Sequence, residues 1–143
     1  MEEKNGSNFI IDTSVLIKWL GEEAENLEEA MRVKNDFISG DIAISVPALV
    51  FWELNNFLGR RFDPIKASVI FNQFKNYKFH PHLLSLELSL LTFKIMERCP
   101  RITFYDASYH ALALHLGGTF LTADKKYYNM AKSFGSIKLL RHY

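Results

Sequence analysis

Five short runs, most of them apolar and each followed or preceded by a helix-length segment, constrain this fold most: Phe9–Ile11, Ile42–Val46, Phe79–Leu84, Thr119–Thr122 and Ile137–Leu140. Three to six residues are too few for a core helix but suit a strand, and an apolar run without alternation suits a strand covered on both faces. Strands of this kind alternating with helices predict an α/β sandwich with a mainly parallel sheet of four to five strands. Ligands of such sheets bind beyond the carboxyl ends of the strands. Asp12 follows the first run, and Asp124 ends the T-A-D that closes the fourth.

The helical segments are read from caps and spacing. After Asp12, Thr13 or Ser14 is placed to cap a helix that Val15, Leu16, Ile17, Trp19 and Leu20 continue. Glu22–Gly40 reads as a second helix, its early glutamates favoured by the positive end of the dipole, with Leu27, Ala30, Met31, Lys34, Phe37 and Ile38 facing the core. Pro47 suits the first position of a helix running to about Leu58. Asp63-Pro64 starts another, with Ile65, Val69, Ile70, Phe74 and Tyr77 apolar. Ser85–Arg98 reads as a helix capped by Ser85, with Leu86, Leu90, Phe93 and either Ile95 or Met96 turned inward. The next begins near Thr103–Asp106 and stops at Gly117-Gly118, and Ala123–Phe134 forms the last.

At 143 residues the chain is expected to be one domain, residues 1–143. No apolar run is long enough to span a membrane, the N-terminus does not read as a targeting peptide, and Cys99 is the single cysteine. No internal disulfide is possible, so a cytoplasmic home is expected, with Cys99, just before Pro100, a packed or loop thiol rather than a nucleophile. Net charge is +1 but uneven: −6 over residues 1–60, +2 over 61–124 and +5 over 125–143. The basic, acid-free C-terminal stretch, beginning right after Asp124, is suited to a polyanion as well as to plain solvation.

Four acids stand apart from the rest. Asp12 and Asp124 end strands, Glu53 sits within the apolar sequence Leu49–Leu58, and Asp106 falls in the first turn of its helix. A carboxylate within apolar surroundings is costly without a partner, and Arg60 and Arg61 do not lie at the favoured helical spacing from Glu53. Singly, each acid has a structural explanation as cap, turn or surface charge. Gathered in one pocket, four carboxylates cannot all stay ionised without cations. Carboxylate oxygens suit Mg²⁺ or Mn²⁺, one or two ions, and such a site serves attack of a metal-activated water on a phosphodiester. Thr13, Ser14 and Thr122 are placed to orient ligands or water. His80 and His82, flanking Pro81, share a strand face without a nearby third ligand, and His110 lies one turn after Asp106.

I-I-D-T-S-V-L-I-K-W at 10–19, P-A-L-V-F-W-E-L at 47–54, Y-D-A-S-Y-H-A-L-A at 105–113 and L-T-A-D at 121–124 resemble, in order and spacing, the PIN-domain ribonucleases, and within them the VapC-type toxins of toxin–antitoxin pairs. The resemblance spans nearly the whole chain. It implies a Rossmann-like three-layer α/β/α sandwich and a Mg²⁺/Mn²⁺-dependent endoribonuclease. It also implies a homodimer, and inhibition by a small antitoxin protein. The family's acidic quartet falls on Asp12, Glu53, Asp106 and Asp124, while His110 stands where such proteins are more usually apolar.

Lys125, Lys126 and Lys132, with Arg60 and Arg61, are candidate RNA phosphate contacts, and Tyr127 and Tyr128 are candidate base-stacking rings. The apolar helices around Glu53 and Ile70 are expected to serve dimerisation. Two other classes compete with the nuclease. A phosphoryl-transfer domain of the D-x-D type wants an acid at position 14, which is Ser14. A silent RNA- or protein-binding module has no need of four acids near one pocket.

Overall fold

A computed structural model describes residues 7–21 and 25–143. Its strands are β1 (Asn8–Ile11), β2 (Ala43–Pro47), β3 (His80–His82), β4 (Thr119–Thr122) and β5 (Ile137–Leu139). All four neighbouring pairs are parallel, in the order β3-β2-β1-β4-β5. The helices are α1 (Thr13–Lys18), α2 (Leu27–Ile38), α3 (Leu49–Arg61), α4 (Pro64–Lys75), α5 (Leu86–Arg98), α6 (Phe104–Leu116) and α7 (Lys125–Ala131). They cover both faces of the sheet, giving the α/β/α sandwich expected. Among the described residues, no helix is long and apolar enough to cross a membrane.

The central strands β1, β2 and β4 are largely buried because helices press on them from both sides, while the edge strand β3 is mostly exposed. Ile10, Ile11, Ile44, Val46 and Leu121 are fully enclosed, each worth roughly 1.5–3 kcal/mol of burial. Helix α6 crosses β1, β2 and β4, and α5 packs on α6. Trp19, after α1, stacks with Phe37, Phe74 and Phe79 and meets the edge of Tyr77. Its indole N–H donates to the Ala30 carbonyl at 2.9 Å, which ties α2 to the end of α1.

The turn from α6 into β4 needs two glycines for different reasons. Gly117 ends the helix at φ 66°, a left-handed conformation that costs a side chain-bearing residue. Gly118 lies against β1, where a Cβ would be driven into the Asn8 carbonyl oxygen. Only a bare backbone lets β4 start beside β1.

Several local expectations are corrected. Asp12 itself caps α1, accepting from the Val15 N–H, in place of Thr13 or Ser14. The second helix begins at Leu27 after Asn26 at φ 56°, while Glu22 and Glu23 lie outside the described residues. Its buried face is Ala30, Val33 and Phe37, and Ile38 is exposed. Pro47 ends β2 rather than starting α3, paired with His82, where the missing N–H is tolerated. The last helix is shorter than Ala123–Phe134, tightening into a 3₁₀ turn at Lys132–Phe134.

Helix α5 departs most. Ser85 caps it as expected, but the inward stripe is Leu88, Thr92 and Ile95, continued by Cys99. Leu86, Leu90 and Phe93 face outward, 85%, 53% and 56% exposed. The helix carries two apolar stripes, and periodicity alone does not say which one α6 covers.

Candidate active site

The strand order reverses direction between β1 and β4, and at such a switch point an open α/β sheet forms a crevice beyond its carboxyl edge. Ile11 is in register with Leu121, so the chain leaves both strands side by side. Asp12 and Asp124 then cap α1 and α7, each accepting a backbone N–H of its own first turn, from Val15 at 3.3 Å and Tyr127 at 2.9 Å. Thr103 caps α6 by accepting the Asp106 N–H at 3.1 Å, which holds Asp106 at the same edge. Asp12, Asp106 and Asp124 line one cleft of about 70 Å³, with Tyr109, Phe120, Thr122 and Tyr127. Three residues distant along the chain are therefore brought together.

Glu53 approaches from the other side. It lines a broader cavity of about 890 Å³ with Thr13, Arg60, Arg61 and Asp106, so Asp106 borders both spaces. The partner that makes the Glu53 carboxylate tolerable is the phenol of Tyr109, which donates to Oε1. With its proton committed there, Tyr109 accepts from the Thr13 hydroxyl at 3.4 Å. Burial first, then the carboxylate contact, pushes the Tyr109 pKa up, keeping it a donor. Sequence reading missed Tyr109. Its signal was the i, i+3 spacing from Asp106, which puts both on one face of α6.

Ser14 donates to Asp12 Oδ1 at 2.5 Å. Thr122 accepts the Asp124 N–H at 3.0 Å, so it shapes the turn that presents that acid. Burial pushes the Asp12 carboxyl up to about 6 and the Glu53 charge adds to it, against the lowering effect of Ser14 and the Val15 N–H. Asp12 thus stands where negative charge is already disfavoured.

The donors are all hard carboxylate oxygens at one sheet edge, the chemistry of a Mg²⁺ or Mn²⁺ site. As the side chains stand, no three His, Cys, Asp or Glu among the described residues are close enough to grip one ion together. The same holds for His80 and His82 at the sheet's outer strand. Of the candidate RNA contacts, Lys125 and Lys126 are exposed beside Asp124, Lys132 is exposed beyond them, and Arg60 and Arg61 line the broad cavity. Tyr127 is buried and cannot stack on a base, whereas Tyr128 is half-buried. His110 is fully enclosed, its ring nitrogens on Tyr127 and Gly135 rather than on any of the acids, and Cys99 is a buried thiol.

No curated protein matches the chain in sequence. In structure it is similar to FitAcB from Neisseria gonorrhoeae at 16% identity and TM-score 0.71, covering 94% of this chain and 99% of that one. DNA-bound VapBC from Salmonella typhimurium aligns at 15% identity and TM-score 0.69, over 92% and 96% of the two chains. Mycobacterium tuberculosis VapC20, a sarcin-ricin loop cleaving toxin, aligns at 16% and 0.64, over 90% and 95%. These likenesses describe a fold. The PIN domain family itself matches residues 9–133, a span that holds all four acids, and the chain belongs to that family.

Proposed function

We propose that this chain is a divalent-metal-dependent endoribonuclease acting as the toxin of a toxin–antitoxin pair. The observation that carries the reading is the meeting of Asp12, Asp106 and Asp124 in one cleft at the switch point, with Glu53 adjoining across Tyr109. Asp12, Asp106 and Asp124 would hold the ion, with Glu53 as the fourth carboxylate. Mg²⁺ or Mn²⁺ held there would acidify a water, so that on losing a proton it could attack a phosphodiester.

The chain's own residues prepare that step. Ser14 and the first-turn amides fix the rotamers of Asp12 and Asp124. Tyr109 holds Glu53 toward the cleft. Lys125, Lys126, Arg60 and Arg61 border the acids on two sides, where they would hold flanking phosphates in a salt-dependent way.

One observation favours the competing reading of a silent binding module: the acids do not close on an ion as they stand. Both readings meet in one experiment. Purified protein is incubated with total RNA and Mg²⁺ or Mn²⁺, and the RNA ends are mapped. Discrete cuts that vanish with EDTA support the nuclease; RNA binding with no cuts in either metal leaves the silent module.

The antitoxin partner is carried over from the FitAB and VapBC neighbours, which are complexes. The homodimer is best seated on α5. Leu86, Leu90 and Phe93 form an exposed stripe continued by Leu83 and Leu84, a larger apolar face than Ile65 and Val69 offer on α4. Leu90→Glu with Phe93→Glu is expected to convert a dimer to a folded monomer by light scattering. A persistent dimer returns the interface to α3 and α4.

A further inference from the structure

Among the described residues, His110 is a fully buried ionisable group, beside the cleft's Tyr127, that the proposed chemistry leaves unused. It is 0% exposed, yet both ring nitrogens are satisfied. Nε2 lies 2.7 Å from the Gly135 carbonyl, and a carbonyl only accepts, so Nε2 carries the proton. Nδ1, 2.8 Å from the Tyr127 hydroxyl, then accepts from it in the neutral ring. Burial holds the imidazole below its ordinary pKa, in keeping with that neutral form. Phe120, Tyr127 and Phe134 enclose the ring.

These two bonds reach opposite ends of one segment. Tyr127 opens it, its N–H bound to Asp124 and its ring lining the acid cleft. Gly135 closes it, immediately after the 3₁₀ turn. Asp106 lies one turn before His110 on the same helix. We propose that His110 is a positioning residue of the metal site: through Tyr127 and Gly135 it clamps the 124–135 segment to α6 and so sets where Asp124 stands relative to Asp106. A hydrophobic residue of the same size would fill the space but leave the phenol and the carbonyl unbonded, letting the segment shift. The inference rests on the acids forming a metal site.

The test measures Mn²⁺ binding by calorimetry without RNA, so activity is not needed as readout. Partners one bond removed from a metal ligand typically change metal affinity about 10–100-fold. His110→Phe, acting one step further out, is expected to weaken Mn²⁺ about tenfold. Tyr127→Phe, which removes one hydroxyl and leaves the packing, is expected to weaken it in the same direction. The double variant should be no worse than His110→Phe, because the two act as one unit. His110→Gln, which keeps a donor and an acceptor, should recover part of the loss.

Val33→Ala, a core variant on α2, controls for stability: it should lower the melting temperature without moving Mn²⁺ affinity. Wild-type affinity in both Tyr127→Phe and a folded His110→Phe overturns the positioning role alone. A loss in Val33→Ala equal to theirs at matched stability does so too. Wild-type protein that binds no Mn²⁺ overturns the metal site and this inference with it.

Discussion

Asp106→Asn and Asp124→Asn are each expected to leave a folded protein whose metal-dependent RNA cleavage falls more than about 100-fold. The floor comes from comparison, since even residues that only orient a metal ligand cost about 10–100-fold when replaced, and these two would touch the ion. The fold should survive for a local reason at each site. Asp106 is exposed, and the cap of α6 is Thr103, so the helix loses only a favourable first-turn charge of about 0.3–1 kcal/mol. Asp124 does cap α7, but asparagine caps nearly as well, its side-chain oxygen still accepting from Tyr127. Cleavage assays with Mg²⁺ and Mn²⁺, paired with circular dichroism, separate the two quantities. Undiminished cleavage in both variants would move the chemistry away from this cleft. Loss of cleavage with loss of fold would show only that the caps matter.

The same two aspartates show what a sequence discloses and what it withholds. An acid directly after a short apolar strand can be read without coordinates, because nothing in a buried strand wants it there. That Asp12 and Asp124 belong together depends on β4 lying beside β1, and this followed from the resemblance rather than from any spacing. Glu53 drew attention as a carboxylate among apolar neighbours, but its partner did not: Tyr109 lies 56 positions away and meets it only when α6 crosses the sheet. His110 was less legible for a similar reason, since a helical histidine one turn from an acid can ligate a metal but is more often an accessory contact. Its bonds to Tyr127 and Gly135 decide for the core.

Helix α5 marks a different limit. Leu86, Leu90 and Phe93 keep helical spacing as well as Leu88, Thr92 and Ile95 do, and the first set is the more apolar. The chain buries the less greasy stripe, with Thr92 satisfied by donating to the Leu88 carbonyl at 2.7 Å. An isolated domain gains nothing by exposing the other stripe. That choice makes sense if a second surface covers it, which is why the proposed dimer is placed there.

Asp12→Asn should do two opposite things, and the contrast makes it the sharpest test of the site's electrostatics. A carboxyl that titrates near 6 in the folded protein against 3.8 in the unfolded chain holds its proton more tightly when folded. Stability therefore falls as pH rises from about 4 to 6 and stays reduced above that range. The full linkage is about 3 kcal/mol; solvent reaching the half-buried carboxylate reduces the realistic cost to about 1–2 kcal/mol. Without metal at pH 8, Asp12→Asn is expected to melt about 3–6 °C above the wild type, since asparagine can keep the Val15 and Ser14 bonds without the charge. At pH 4 the gap should have all but closed. Mn²⁺ reverses the order: at 100 times its dissociation constant it would stabilise the wild type by about 2.7 kcal/mol, while the variant, lacking a carboxylate, should barely respond and should not cut RNA. The wild type's metal response should itself shrink at pH 5, where protons compete for Asp12. Calorimetric melts at the two pH values, with and without Mn²⁺, give every quantity needed. A variant less stable than the wild type at pH 8 without metal would mean that Asp12 is held by its cap alone and carries no electrostatic load for a cation to relieve.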